Sequence, residues 1–294
     1  MSKALFGCAG VGSDFLQLGY GKDCDIPAYI AALGLDCCEY NCGRGVNIKE
    51  KDAKTLGEKA LENGVTMSVH APFYISLSGI DDSKRLGSLR YMEESAVAAR
   101  AMGAKRIVIH SGSLQKQERG EALLLAKKTL EYCLGALDAK GLCDVSFCPE
   151  LMGKINQLGS LDEVIELCLI DERLIPCIDF GHLNARTRGG LCDKNAYADV
   201  LDRLESGLGR ERAKSFHAHF SKIEYGAGGE KCHLTFADEV FGPDYRPFLE
   251  LVADRGLYPV IICESAGTQG QDAAKMKEYY INYSKERRYN YDKN

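Results

Sequence analysis

Ile175-Pro176-Cys177-Ile178-Asp179-Phe180-Gly181-His182 is a short apolar run closed by an aspartate, with a histidine three residues further on. A run of this length reads as a buried strand, and the residues after Asp179 as the loop that leaves it. A carboxylate at the mouth of a strand, followed by an imidazole, sets two metal-ligating groups at one end of a sheet. The same residues also fit a plainer reading, in which Asp179 caps the next turn and His182 is an ordinary surface residue. What decides between them is the rest of the chain, where the same ending recurs.

Outward from this stretch, short apolar runs alternate with helix-length amphipathic segments. The runs expected as strands are Leu5 to Cys8, Leu35 to Tyr40, Val65 to His70, Arg106 to His110, Val145 to Glu150, Leu174 to Asp179, Lys214 to Phe220 and Tyr258 to Glu264. Between them, helices are expected around Ile26 to Leu33, Ala53 to Leu61, Leu86 to Val97, Leu123 to Leu137, Leu161 to Leu169, Ala196 to Leu208, Phe248 to Val252 and Ala273 to Tyr280. A long loop is expected after the seventh strand. The strands are apolar along their length and do not alternate, as in a parallel sheet covered on both faces. Such a series of strand-helix units predicts an α/β fold, a closed (β/α)8 TIM barrel over residues 1–284. Residues 285–294 are expected as a frayed polar tail. An open doubly wound sheet is the alternative with the same alternation.

Composition narrows the class. With 45% hydrophobic and 27% charged residues the chain can bury a large core, and no apolar run reaches membrane-spanning length. The amino terminus enters a strand without a signal-peptide pattern, so a cytoplasmic protein is expected. The 13 cysteines include several inside predicted strands, and none forms a Cys-x-x-Cys pair, which favours reduced core thiols over a disulfide framework. A net charge of -5 argues against a protein that coats nucleic acid, though not against recognition by one face.

In a barrel of this kind chemistry sits at the carboxyl ends of the strands. Five of the 6 histidines, His70, His110, His182, His217 and His219, fall at or just beyond predicted strand ends, and His233 falls in the long loop. Glu150, Asp179 and Glu264 join them at strand ends. Any one histidine alone reads as a hydrogen-bonded structural residue; the set at one rim reads as a polynuclear metal site. Imidazoles and carboxylates suit zinc or a similar ion. By strand order Glu150 lies between His110 and Asp179 and is the residue placed to bridge two ions. Such a cluster suits phosphodiester hydrolysis; a single divalent ion would instead suit sugar isomerisation.

These segments resemble endonuclease IV, the zinc-dependent apurinic/apyrimidinic endonucleases on the xylose-isomerase-like barrel. Val69-His70-Ala71-Pro72-Phe73-Tyr74 looks like the family's His-Ala-Pro-Tyr, and Ile109-His110-Ser111-Gly112 its His-Pro-Gly with serine for proline. Glu150-Leu151-Met152-Gly153 with Leu158-Gly159 is similar to its Glu-Thr-Ala-Gly and downstream Leu-Gly. Asp179-Phe180-Gly181-His182 matches Asp-Thr-Cys-His in spacing, His217 with Ser221-Lys222 matches His-Leu-Asn-Asp-Ser-Lys, and Cys263-Glu264 the last glutamate. The resemblance spans roughly residues 66–268.

The resemblance implies zinc ions, two or three of them, with manganese as an alternative. His70, His110 and Glu150 would hold one, Glu150, Asp179, His217 and Glu264 a second, and His182 with His233 a third. The family's third site also takes an aspartate where this chain has Lys231, whose ammonium offers no lone pair; Glu230 or His219 are candidates to fill in. His219 shares a face with His217 and reads either as an extra ligand or substrate contact or as a packed neighbour. Phe73 and Tyr74 would wedge into a base stack, or simply pack at the rim. Arg44, Lys154, Arg186, Arg188 and Lys222 would meet phosphates, or be solvated charges. The activity implied is incision of duplex DNA 5' to abasic sites by a monomer, with Glu150 or Glu264 assisting deprotonation of water. Two other readings stay open: a divalent-metal sugar isomerase or epimerase, and a non-catalytic barrel that binds metal or damaged DNA.

Overall fold

Runs such as Ile107-Val108-Ile109 and Phe147-Cys148 are buried to within a few per cent because helices cover the outside of the sheet and side chains fill its inside. The computed structural model describes residues 3–291. In chain order β1 (Leu5–Ala9) leads to α1 (Ile26–Ala32), β2 (Cys37–Asn41) to α2 (Glu50–Glu62), and β3 (Thr66–His70) to α3 (Asp82–Leu86) and α4 (Ser88–Met102). Next, β4 (Arg106–His110) leads to α5 (Arg119–Ala139), β5 (Ser146–Glu150) to α6 (Leu161–Cys168), and β6 (Cys177–Asp179) to α7 (Phe180–Arg186) and α8 (Lys194–Leu208). After α9 (Arg210–Ala213) come β7 (His217–Phe220), β8 (Lys222–Gly226), β9 (Gly229–Leu234), α10 (Tyr245–Asp254), β10 (Val260–Cys263) and α11 (Gln269–Tyr291).

The barrel runs β1-β2-β3-β4-β5-β6-β7-β10 and closes on itself. Closure is the parallel pairing of β1 with β10, which sets Phe6 against Ile261 and Cys8 against Cys263. That pairing removes both free edges and rules out the open sheet. All eight strands run the same way, so their carboxyl ends share one mouth. No helix among the described residues is long and apolar enough to cross a membrane.

The structure differs from the expected elements in three places that matter for the site. His182 is not in a loop: the chain turns directly from Asp179 into α7, because the aspartate accepts from the His182 amide at 2.7 Å and caps the helix. The expected long loop after β7 contains an antiparallel hairpin, β8 paired with β9, and His233 lies on β9. Its short polar strands show little apolar alternation, so the residue pattern carried no sign of them. Finally, the segment expected as a frayed tail from residue 285 continues α11 to Tyr291, where Arg287 donates to the Ala253 and Asp254 carbonyls. The remainder of that segment, residues 292–294, lies outside the described residues.

Candidate metal centre at the barrel mouth

Glu150 ends β5 and is buried, and its two oxygens face opposite ways. Oε2 lies 3.3 Å from His70 Nε2 and 3.2 Å from His110 Nε2. Oε1 lies 3.3 Å from His219 Nδ1 and 3.4 Å from His182 Nδ1. A buried carboxylate reached by four imidazoles is the arrangement expected of a bridging ligand. Burial alone would raise its pKa, but the imidazoles of His110, His182, His219 and His70 outweigh it and hold the carboxyl well below the usual range.

Four sets of donors have their ligand atoms within 4.8 Å of one another among the described residues: His70, His110 and Glu150; Glu150, Asp179, His219 and Glu264; His182, Glu230 and His233; and, deeper, Cys177, His217 and His219. His70 and His110 come from the ends of neighbouring β3 and β4, with ring centroids 5.1 Å apart. His70 Nδ1 lies 2.9 Å from the Ala71 carbonyl, which leaves Nε2 toward Glu150. Burial opposes charge on His70, yet the Glu150 carboxylate raises its pKa to about 9. His182 behaves alike: burial is outweighed by Asp179 and Glu150, and its pKa rises to about 10. Burial also raises the pKa of Glu264, against the pull of His219.

The second set uses His219 where the motif comparison points to His217. Strand register explains the exchange: His219 lies opposite Asp179, whereas His217 lies opposite Cys177, one layer deeper in the barrel. His217 instead approaches Glu39 of β2, at 3.0 Å between Nε2 and Oε2, and burial takes its pKa down to about 4. Glu39 was not singled out in the sequence. A carboxylate within the apolar run Leu35 to Tyr40 was the available signal, since a fully buried glutamate must find partners.

The third set is completed by Glu230. Tyr225 pairs with Glu230 and Glu224 with Cys232, so Lys231 is the extra residue of a β-bulge. On an even strand Lys231 would share the face of His233; the bulge hands that face to Glu230 and turns Lys231 out to solvent. There its ammonium meets Glu224 at 2.8 Å. Glu230 Oε2 lies 3.5 Å from His182 Nε2, and His233 Nδ1 2.9 Å from the Ser221 hydroxyl. Gly153 lets the β5 loop pass this close, because a Cβ there would sit 2.7 Å from the Glu230 Cβ and 2.9 Å from the His182 ring.

Around the mouth, Phe73 and Tyr74 are about half exposed (48% and 47%) and lean on each other, with ring centroids 4.9 Å apart. Arg44, Lys154 and Arg188 are exposed on mouth-facing loops. The other two expected phosphate contacts are engaged within the fold. Arg186 donates to the Met152 and Lys154 carbonyls at 3.2 and 2.8 Å, tying α7 to the β5 loop. The Lys222 ammonium donates to the Asp238 carbonyl.

With this fold and site in view, the chain belongs to the xylose isomerase-like TIM barrel family, whose model matches residues 27–281. It is 35% identical over 275 residues to an uncharacterized protein of Methanocaldococcus jannaschii, covering 94% of this chain and 96% of that one. It is 29% identical over 198 residues to a probable endonuclease 4 of Mycoplasma pneumoniae, an alignment that spans 66% of each protein. Among solved structures it superposes on a D-tagatose 3-epimerase-like protein with a TM-score of 0.70 and 21% identity, covering 95% of this chain and 99% of the other. It also superposes on endonuclease IV from Thermus thermophilus with a TM-score of 0.66 and 18% identity, covering 96% of this chain and 99% of the other. These structural likenesses speak for the fold.

Proposed function

We propose that this barrel is a metal-dependent phosphodiesterase that incises duplex DNA 5' to abasic sites, as the name of its endonuclease 4 relatives suggests. The observation that carries the reading is the division of Glu150 between two sides, Oε2 toward His70 and His110 and Oε1 toward His219 and His182. A single-ion site has no use for His70, His110, His182 and His233. The donors, all nitrogen and oxygen at the open mouth, fit two or three zinc ions, with manganese also compatible. Bound there, such ions would acidify water, polarise a phosphate and neutralise a departing alkoxide. Glu264 would take a proton from the attacking water, while Glu150 would stand between the ligand sets. The Phe73 and Tyr74 rings would support the opened helix where a base is missing, and Arg44 the flanking backbone.

The deciding experiment is incision of a labelled duplex carrying one abasic site, with Glu150→Gln as control. Cutting on the 5' side by wild type, reduced more than about 100-fold in the variant, supports the reading, since even an outer partner of a metal ligand costs 10–100-fold. Intact duplex with zinc-loaded protein overturns it.

A second reading, a sugar epimerase or isomerase, rests on Glu150, Asp179, His219 and Glu264 forming a set that is complete without the others. One exchangeable manganese per chain, with turnover of a ketose and no incision, would establish it.

A further inference from the structure

Beneath the ligand sets lies a buried group on neighbouring or facing barrel strands, Glu39, Ser68 and His217, all essentially inaccessible, and it meets His219 of the second set from below. Glu39 Oε1 lies 2.9 Å from His219 Nε2. Its Oε2 lies 3.0 Å from His217 Nε2 and accepts from the Ser68 hydroxyl at 2.9 Å. The other nitrogen of His219, Nδ1, faces upward, 3.3 Å from Glu150 Oε1 and 3.5 Å from Glu264 Oε2. One imidazole therefore hangs between a deep carboxylate and the mouth.

We propose that Glu39 is the positioning residue that makes His219 a ligand, by fixing its proton on Nε2 and its Nδ1 lone pair toward Glu150, Asp179 and Glu264. Both ring nitrogens face carboxylates, Nε2 that of Glu39 at 2.9 Å and Nδ1 that of Glu150 at 3.3 Å; a cation among Glu150, Asp179 and Glu264 would need the Nδ1 lone pair, which leaves the proton to Nε2 beside Glu39, a group that accepts hydrogen bonds and donates none. The approach of Glu39 to both rings lies off the N–H axis, so its hold is that of a buried charge in a low-dielectric interior, not of one linear hydrogen bond. Ser68 donates to the second oxygen and His217 lies 3.0 Å from it, which stops the carboxylate from turning away. In this arrangement His217 belongs to the support of the site, and its neighbour two residues on belongs to the site itself. A carboxylate behind a metal-bound histidine is a recurrent means of orienting the ring and raising its basicity. Among the described residues Cys177 also lies close to His219, in one set with His217, and it is the competing partner that the cobalt measurement below tests.

The inference rests on the metal-centre reading, and the test separates the two. Zinc is titrated into metal-free wild type, Glu39→Gln and Glu39→Ala, with a competing chelator, and the ring protons of isotope-labelled histidine are assigned by NMR in the zinc-loaded proteins. Expected are multiple ions in wild type, His219 protonated on Nε2, and one ion bound about 10–100-fold more weakly in Glu39→Ala, with Glu39→Gln between, because the amide still offers an oxygen. The proposal is overturned if wild type binds its ions but both variants bind them equally well, or if His219 carries its proton on Nδ1. Cobalt-loaded wild type adds one more outcome: a thiolate-to-cobalt absorption lost in Cys177→Ser would place an ion among Cys177, His217 and His219, and overturn it too. Absence of any bound ion in wild type would instead sink the metal-centre reading, and this inference with it.

Discussion

Asp179 turns both oxygens to His182: Oδ1 accepts from the His182 amide at 2.7 Å, and Oδ2 lies 3.1 Å from His182 Nδ1, whose hydrogen-bond partner is the Leu151 carbonyl at 3.0 Å. The first contact caps α7; the second turns the same carboxylate toward the ligand sets. Of the plainer reading of this stretch the cap is present, on Oδ1, while His182 is buried and not a surface residue; Oδ2 of the same side chain faces the candidate donors.

Asp179→Asn and Asp179→Ala separate the two roles. Asparagine caps as well as aspartate, so Asp179→Asn should lose only the charge beside His182, whereas Asp179→Ala should lose about 1 kcal/mol more through the missing cap. Both should weaken zinc binding. Urea denaturation of metal-free protein beside a zinc titration checks this, and equal stability loss in both variants would show that the cap is not what holds the helix.

Lys231 and Glu230 are neighbours with opposite expected effects. Lys231→Ala should change neither ion count nor activity, because its ammonium points to solvent and Glu224. Glu230→Gln should lose or weaken one ion while the others stay, read by metal analysis of the purified proteins after dialysis. A variant at Lys231 that gains an ion would mean that the lysine reaches the site after all.

Glu163 should govern part of the acid limit of stability. Its carboxylate caps α6, accepting from the amides of Gly159 and Ser160 at 2.8 Å and from Arg119 at 2.7 and 3.0 Å. Burial alone would raise its pKa; Arg119 and the amides outweigh burial and lower it. A group whose pKa is lower folded than unfolded stabilises above its unfolded value, about 4.3 for glutamate, and that contribution is lost as pH falls through the folded value. Glu163→Gln should therefore lower stability at pH 7 by about 1–3 kcal/mol and flatten its fall below roughly pH 4. Denaturant titrations from neutral to acid pH read both effects; an unchanged acid slope contradicts the assignment.

Phe248 of α10 is fully buried, with its ring 4.2 Å from Phe180 at the start of α7 and 6.1 Å from Phe220 at the end of β7. Phe248→Ala should cost about 3–5 kcal/mol, the range for deleting a buried aromatic ring. Because Phe180 and Phe220 flank Asp179 and His219, zinc affinity should fall with it. A thermal melt with and without zinc tests both parts.

The barrel could be read from the sequence because its strands are buried on both faces and leave uninterrupted apolar runs, as at Arg106 to His110. The convergence of candidate donors was readable for the same reason: in a parallel barrel every strand ends at one mouth, so His70, His110, Glu150 and Asp179 needed only a linear position. What could not be read was depth and rotation. His217 and His219 share a face and differ by one layer, which only the register against Cys177 and Asp179 resolves. Glu230 and Lys231 exchange sides through a bulge whose existence depends on pairing with β8. Glu39 lay in view as a charge within an apolar run, but its partners come from β3 and β7, distant in sequence.

The pairing of β1 with β10 also sets the order in which this molecule can be finished. The strand that closes the circle is the last to leave a ribosome, and Glu264 follows it by a single residue. Until those residues emerge, β1 and β7 each present an open edge, and the donors that converge on Glu150 lack their final member. Closure of the wall and delivery of Glu264 to the mouth thus depend on the same short stretch, which α11 then follows and covers from outside.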